Sequence, residues 1–214
     1  IMGTIKKGIL GGFSGKVGTV VGASWKGIDY IRSLPASVRN PRTPGQVNQR
    51  NKFATVIKFL SKINPVIQVG FKDYTAKQTA TNAAMSYNML NAVTGDAGVY
   101  QLDFPKVMVS RGTLYNPSTA DVMVSDGDVT AAWNVDIAGN GAMDDMSNVL
   151  VYNSTKDEAT ISAEASDRAE GFAAVPYLDH WKGDQVEVFL AFTSADGKLV
   201  SDSMYLGQHE IPVI

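Results

Sequence analysis

The second half of the sequence is divided into short stretches in which apolar and polar residues alternate. From about residue 103 onward, segments rich in valine, threonine and aromatic residues are separated by clusters of Asn, Asp, Gly and Ser. Alternate residues are apolar from Val129 to Val135 and from Val186 to Phe192. Seven strands at this spacing predict an all-β, immunoglobulin-like sandwich. The predicted strands are 106–110, 120–125, 129–136, 147–153, 159–163, 184–193 and 198–206.

The sequence contains no cysteine. A disulfide therefore cannot link the two predicted sheets, and a core around Trp133 has to hold the sandwich together unaided. The same absence excludes thiolate zinc sites and cysteine nucleophiles. With 214 residues, 44% of them hydrophobic, the chain is long enough for one large core or two smaller ones.

A capping signal predicts a helix that begins at Pro44. Thr43 is a suitable N-cap, Pro44 suits the first helical position, and Gln46 stands three residues after Thr43. Apolar residues then recur at helical spacing until Ile63, where Asn64-Pro65 interrupts the pattern.

A second helix is predicted to begin after Thr75. Gln78 follows three residues later, an apolar stripe runs on to Leu90, and Gly95 is the expected end of the helix. Two antiparallel helices joined by a loop are the natural interpretation of both patterns.

Residues 8–33 are punctuated by glycine and predict a β-hairpin. Val17, Thr19 and Val21 alternate with polar or small residues, and Lys26-Gly27 is a turn candidate. A two-stranded hairpin is marginally stable on its own, so it has to pack against something else.

These patterns together predict an α+β fold with two domains. Residues 1–100 are expected to form a basic docking module made of a β-hairpin and two helices. Residues 101–214 are expected to form an acidic β-sandwich of immunoglobulin-like type.

Charge is distributed very unevenly along the chain. Residues 1–63 contain 11 basic residues and one acid, Asp29, which gives a net charge of +10. The remaining residues contain 8 basic residues and 20 acids, which gives −12. Asymmetry of this size predicts an anionic partner for the first part of the chain. The expected partner is an acidic protein surface or a second copy of the chain, with nucleic acid as an alternative. The candidate interaction residues are Lys6, Lys7, Lys16, Trp25, Lys26, Tyr30, Arg32, Arg39, Arg42 and Arg50.

The segment Gly11–Val17 resembles a phosphate-binding loop but lacks two of its essential residues. Leu10 occupies the position of the first glycine, and Val17 replaces the Ser or Thr that would bind magnesium. A strand rather than a helix is expected to follow, so no helix N-terminus would face a phosphate. A tight turn into the hairpin is the better interpretation.

No other motif indicates a metal, a cofactor or catalysis. Asp136–Gly141 faintly resembles a calcium loop, but Ala138 and Ser147 stand where oxygen ligands are required, which favours a solvated turn. His180 and His209 are far apart and belong to no metal-binding pattern. We therefore predict no catalytic residue, no cofactor and no metal site.

No membrane span or signal peptide is predicted. The sequence has no apolar run of the roughly 18 residues that a membrane helix needs. Behind Lys6 and Lys7 comes a glycine-broken stretch without the apolar centre of a signal peptide. These features favour a location in a virion or in the bacterial cytoplasm.

Several motifs resemble those of an uncharacterised bacterial family. They are Ser14-Gly15-Lys16-Val17-Gly18, Tyr30 to Arg32, and Asn40-Pro41-Arg42-Thr43-Pro44 with the helix that follows. Ser110-Arg111-Gly112-x-Leu114 and Ser201-Asp202-Ser203-x-Tyr205-x-Gly207 also look like that family, so the resemblance spans nearly the whole chain. It implies no particular activity, but related openings look similar to proteins encoded in phage or prophage regions.

The expected function is that of a non-enzymatic structural protein. The basic module would dock or multimerise, as in a phage-type virion or surface assembly, and would carry the sandwich outward. The main alternative is a carbohydrate- or surface-binding sandwich, which an exposed stripe of Tyr152, Tyr177, Trp181 and Tyr205 would support. A nucleic-acid-associated protein that binds through the basic residues is the third hypothesis.

Overall fold

The computed structural model describes residues 3–5, 11–25, 28–37, 42–76, 78–96 and 98–213, except for the side chain of Trp25. The chain forms two compact units, Ile1–Thr43 and Pro44–Ile214. We predicted a domain boundary at residue 100; the compact units divide between Thr43 and Pro44, so the helices belong to the same unit as the strands that follow them.

The first unit contains a four-stranded antiparallel sheet where we predicted a hairpin. Its strands are hydrogen-bonded in chain order, and the turn between the second and third strands contains Gly18, whose φ of +55° favours glycine. Its strands are β1 (Thr4–Ile5), β2 (Phe13–Val17), β3 (Val20–Trp25) and β4 (Ile28–Ser33).

The second unit begins with three helices among its described residues, one more than predicted. The first begins at Pro44, as the capping signal predicted. The third is capped by Thr79, whose hydroxyl accepts a hydrogen bond from the backbone N–H of Asn82 at 3.2 Å, rather than by Thr75. In the part of the chain that is described, no helix is long and apolar enough to cross a membrane. The helices are α1 (Pro44–Lys62), α2 (Asn64–Gly70) and α3 (Ala80–Asn91).

Nine strands follow the helices and pair only in antiparallel sheets. The hairpin β5–β6 comes first; a three-stranded sheet has the order β11-β8-β7, and a four-stranded sheet has the order β10-β9-β12-β13. The prediction of an α+β fold is therefore confirmed. The strands are β5 (Val93–Asp96), β6 (Val99–Leu102), β7 (Ala120–Val124), β8 (Asp128–Trp133), β9 (Met146–Asn153), β10 (Glu158–Ser162), β11 (Phe172–Pro176), β12 (Gln185–Thr193) and β13 (Met204–Glu210).

The two larger sheets share an apolar core. Trp133 on β8 and Phe192 on β12 meet edge to face, with ring centroids 5.2 Å apart. Val186, Val188 and Leu190 on β12 complete the inner face of the four-stranded sheet, and all of them are fully buried. The alternation that predicted this face is therefore present in the structure.

The outer face of the four-stranded sheet is covered by the helices. Phe59 and Leu60 of α1 belong to one core cluster with Tyr152 on β9 and Phe189 on β12. The rings of Phe59 and Tyr152 are 4.8 Å apart, edge to face. Strands β9 and β12 thus lie between two apolar cores, one on each face.

The buried ion pair of Asp145 and Arg168 lies beside the inner core. The Arg168 guanidinium donates to Asp145 Oδ2 at 3.1 Å and to the carbonyl oxygen of Tyr115 at 2.7 Å, and it lies over the ring of Phe192. Arg168 also accepts at its backbone carbonyl from the Trp133 indole at 2.9 Å. Because both charges are buried, each depends on the other for compensation.

Residues 110–114 pack against residues 201–207. Ser110 Oγ donates to the carbonyl oxygen of Ser201 at 2.6 Å, and the backbone N–H of Gly112 donates to Asp202 Oδ1 at 3.0 Å. The guanidinium of Arg111 lies over the rings of Tyr74 and Tyr87, 4.8 and 5.1 Å from their centroids. These residues therefore hold distant chain segments together, and this structural role accounts for their presence.

Two of the seven predicted strands differ from the structure: residues 106–110 form no strand, and the strand predicted at 198–206 is displaced to β13 (Met204–Glu210). The stretch 106–110 bonds instead to Asn88 of α3 and to residues 201–203; for example, Met108 N–H donates to Asn88 Oδ1 and Val109 N–H donates to Ser203 Oγ. Conversely, β11 (Phe172–Pro176) was not predicted.

We expect Gly112→Ala to destabilise the protein by about 3 kcal/mol, near the upper end of the cost of overpacking. A Cβ at this position would lie 2.0 Å from the carbonyl oxygen of Val200, and backbone atoms cannot move aside cheaply. Gly45→Ala in α1 is the matched control, because it has no neighbour within 4 Å and should change stability by less than about 1 kcal/mol. Urea denaturation measures both; equal effects would contradict the close approach at Gly112.

Candidate functional site

The structure describes six of the ten predicted interaction residues, in two different compact units. Lys6, Lys7, Lys26 and Arg39 lie outside the described residues. Lys16 is on β2, Tyr30 and Arg32 are on β4, Arg42 precedes α1, and Arg50 is in α1 within the second unit. Trp25 ends β3, with only its backbone described.

The strand register of the first unit places three of these residues on one face. Lys16 is opposite Val21, Val21 is opposite Arg32, and Tyr30 is opposite Ala23. Directly paired residues point to the same side of an antiparallel sheet. Lys16 and Arg32 therefore lie on either side of Val21, on strands about 10 Å apart. We call this face, with Tyr30 and Ile28 beside Arg32, the basic face.

The opposite face of this sheet is packed around a glycine. A Cβ on Gly22 would lie 2.1 Å from the carbonyl oxygen of Phe13, so only glycine allows the two strands to approach this way. Phe13 and Val17 are half-buried or exposed here, and Ile31 on β4 is 64% exposed.

The sheet of the first unit has no buried core of its own. Gly22 is the sole buried residue among those of the first unit whose burial the structure describes. Ile5, Ile28 and Ile31 are all more than half exposed. Apolar exposure on both faces of one small sheet is typical of a surface that a partner covers.

The exposed apolar residues that the sequence analysis did not include among its candidates are Ile28 and Ile31. Isoleucine in a predicted strand is ordinarily assigned to a core, because it is among the residues most often buried. The available signal was the size of the segment: a single sheet of about 40 residues cannot bury both of its faces.

Charge differs in sign between the two units. The first unit has seven basic residues against the single acid Asp29, a net charge of +6. The second has the remaining 12 basic residues and 20 acids, a net charge of −8. Surfaces of opposite net charge attract each other most strongly at low ionic strength.

The histidines of the second unit bind neighbouring groups. His180 Nε2 and the indole N–H of Trp181 both lie 2.7 Å from Glu158 Oε2. These hydrogen bonds, that of Trp181 first, lower the pKa of the Glu158 carboxyl. His209 Nε2 is 3.1 Å from the carbonyl oxygen of Leu206. The first arrangement ties the segment Asp179–Trp181 to the start of β10, and the second lies within β13.

The segment that resembles a calcium loop uses its carboxylates within the protein. Asp136 accepts from the backbone N–H of Ser118 at 3.2 Å and from the Tyr115 hydroxyl at 3.3 Å, and the Ser118 hydrogen bonds lower the pKa of Asp136. Asp145 pairs with Arg168. Within the described ranges, no group of three or more His, Asp or Glu residues could hold a metal ion.

The four aromatic residues considered for carbohydrate binding form no exposed stripe. Tyr152, Tyr177 and Trp181 are buried, and Tyr205 is half-buried, with its hydroxyl donating to Glu187 Oε2 at 2.7 Å. Burial raises the pKa of Tyr205, which therefore stays neutral beside the carboxylate. The carbohydrate-binding hypothesis therefore lacks the exposed aromatic stripe that would have supported it.

A comparison with protein families finds one match that spans most of the chain. Residues 12–207 match the model of a family of unknown function (DUF6266). No curated protein matches the chain.

Removing residues 1–43 should leave the second unit folded, because the residues of both core clusters lie between Val56 and Ile211. We expect the Tm of chain 44–214 to lie within about 3 °C of that of the full chain, both measured under conditions in which the full chain is monomeric. Chain 63–214, which also lacks α1, is the control and should lose its cooperative transition because Phe59 and Leu60 are gone. Loss of cooperative unfolding in chain 44–214 would contradict this division.

Proposed function

The chain belongs to this family of unknown function, and we propose that it is a non-enzymatic assembly protein that associates with further copies of itself through its N-terminal sheet. The observation that carries the proposal is a sheet with apolar residues exposed on both faces and, among its described residues, no buried core. A surface of this kind gains free energy when a partner covers it.

The second unit serves as the body of the assembly in this proposal. Its seven strands β7 to β13 divide into sheets of three and four. This division supports the assignment of an immunoglobulin-like sandwich, an architecture common among cell-surface and adhesion modules. His180 and Asp136, considered above as metal-binding candidates, are engaged in hydrogen bonds within the protein, which supports a structural role.

Opposite charge on the two units supports self-association over docking to an unrelated protein. A unit of net charge +6 and a unit of −8 in one chain provide both halves of an electrostatic contact between copies. Such contacts raise association rates and fix orientation. The resemblance of the opening motifs to proteins of phage or prophage regions favours a virion as the setting.

Association with nucleic acid is the second candidate function. The basic face combines Lys16 and Arg32 with the half-exposed ring of Tyr30, a set suited to phosphates and bases. The absorbance ratio of the purified protein at 260 and 280 nm distinguishes this function. A raised ratio, together with an assembly that nuclease disperses, would favour nucleic acid over self-association.

We expect the full chain to form oligomers at about 50 mM salt and to dissociate at about 500 mM, because salt screens contacts between exposed charges. Lys16→Glu with Arg32→Glu should weaken association by about tenfold or more at low salt. Sedimentation velocity measures both effects.

The matched control for this charge reversal is Lys62→Glu with Lys198→Glu, which changes the net charge equally at two exposed lysines of the second unit. This control should associate at least as strongly as the unmodified chain, because it makes the acidic second unit more negative. A full chain that remains monomeric at low salt and high concentration would show that self-assembly is not its function.

A further inference from the structure

An apolar cavity of about 180 Å³ lies between α2 and the outer face of the four-stranded sheet. Val66 and Val69 of α2 form one wall, and Ile161, Ala163 and Ala191 contribute from the sheet side. An apolar cavity of roughly 150 Å³ is large enough for a benzene ring, so this one accepts a single aliphatic or aromatic side chain.

The strand that borders this cavity is at the edge of its sheet. Among the described residues, β10 has one hydrogen-bonded strand neighbour, β9. A strand added along the other side of β10 would place alternate side chains on the face of Ile161. A groove made of an edge strand, a helix and an apolar pocket is the arrangement that recognises an added strand.

The neighbourhood of β10 is acidic. Between Lys156 and Arg168 the sequence has four acids and no base. Burial acts to raise the pKa of Asp157, but hydrogen bonds from Lys58 and Tyr152 bring it below its ordinary value, so this carboxylate is ionised at neutral pH. Lys58 already pairs with Asp157, but the other acids of this stretch leave an excess of negative charge, which favours a strand that carries positive charge next to apolar residues.

Strand β4 has this composition and is itself an edge strand. It has one hydrogen-bonded neighbour, β3, in the described part of the first unit, and all six of its residues are exposed. On its basic face, Ile28, Tyr30 and Arg32 alternate. Ile28 is the most exposed of its apolar residues, at 69%.

We propose that β4 of one copy adds antiparallel to β10 of a second copy, with Ile28 in the cavity and Arg32 opposite Asp157. In this register Ile28 lies beside Ile161 and Tyr30 beside Ala159. Apolar, aromatic and basic side chains thus meet apolar, small and acidic ones on one face. The inference rests on the proposed self-association and names the two surfaces that make it.

This contact joins two different surfaces. In a pair of copies, one copy therefore still has a free β10 groove and the other still has a free β4 strand. Such a head-to-tail interface closes into a ring or continues as a filament, depending on the rotation between copies. It also differs from a symmetric dimer in a property that variants can expose: a defect in one surface leaves the other surface intact.

Two variants, each with one defective surface, test the pairing. Val69→Lys places a charge at the cavity wall and leaves β4 intact, and Val69 is partly exposed, so its replacement spares the core. Ile28→Lys alters the added strand and leaves the cavity intact. Leu90→Lys is the matched control, because Leu90 is an exposed apolar residue that does not line the cavity.

Each single variant should associate about ten to a hundred times more weakly than the full chain, since burial of one aliphatic side chain is lost. An equimolar mixture of the two should form a heterodimer that does not grow, because only one productive contact remains. The Leu90→Lys chain should assemble like the unmodified chain. Sedimentation velocity and circular dichroism establish mass and folding for each variant.

The possible results separate this inference from the proposed function. If the unmodified chain assembles but the mixture remains monomeric, the pairing of β4 with β10 is wrong and self-association stands. If both variants assemble normally, the pairing is also wrong. If the unmodified chain stays monomeric at low salt, self-association fails, and the pairing fails with it.

A disulfide between copies gives a second measurement that does not depend on mutational weakening. The chain has no cysteine, so Tyr30→Cys on one chain and Ala159→Cys on another create one possible link. Their Cβ atoms would be directly opposite in the proposed register, near the reach of a disulfide. Oxidation of the mixture should yield a linked dimer, whereas Leu90→Cys in place of Ala159→Cys should not. Equal linkage in both mixtures would overturn the register.

Discussion

The second unit depends on strands β9 and β12, which are buried on both faces. Every residue of β12 after Gln185 is buried. Its inner face meets Trp133, and its outer face carries Phe189 into the cluster that contains Phe59 and Leu60. A strand between two cores cannot lose either layer without exposing apolar surface, so the helices and the two larger sheets form one folding unit.

This constraint explains where prediction from sequence succeeded and where it did not. The inner face was predictable because Val186, Val188, Leu190 and Phe192 alternate at period two. The outer face was not recognised, although Phe189 and Ala191 make this stretch almost continuously apolar, a pattern of strands covered on both sides. The helices were therefore assigned to a separate domain, which set the expected boundary at residue 100.

The local errors have similar physical causes. Residues 106–110 have the composition of a strand, but they bond to Asn88 of α3 and to residues 201–203, a contact between distant segments that local pattern does not encode. Strand β11 has two alanines among its five residues and ends in Pro176, so its propensity signal is weak. Of the candidate site, the charged residues were predictable from composition. The cavity was not, because its walls come from segments near residues 66, 161 and 191.

The sheet of the first unit differs from strands β9 and β12 in its burial. Its apolar residues are exposed on both faces, whereas theirs are buried on both faces. Edge strands with exposed apolar residues tend to pair with whatever strand they meet, and proteins commonly protect them with charge. In the proposed pairing, Arg32 of β4 meets the acidic stretch around β10, which makes the contact selective for that edge. A head-to-tail assembly of this kind satisfies one β4 edge per contact and leaves one uncovered at the end of every open chain of copies. The proposed assembly is therefore complete only when it closes into a ring or ends on a different protein that covers the last sheet.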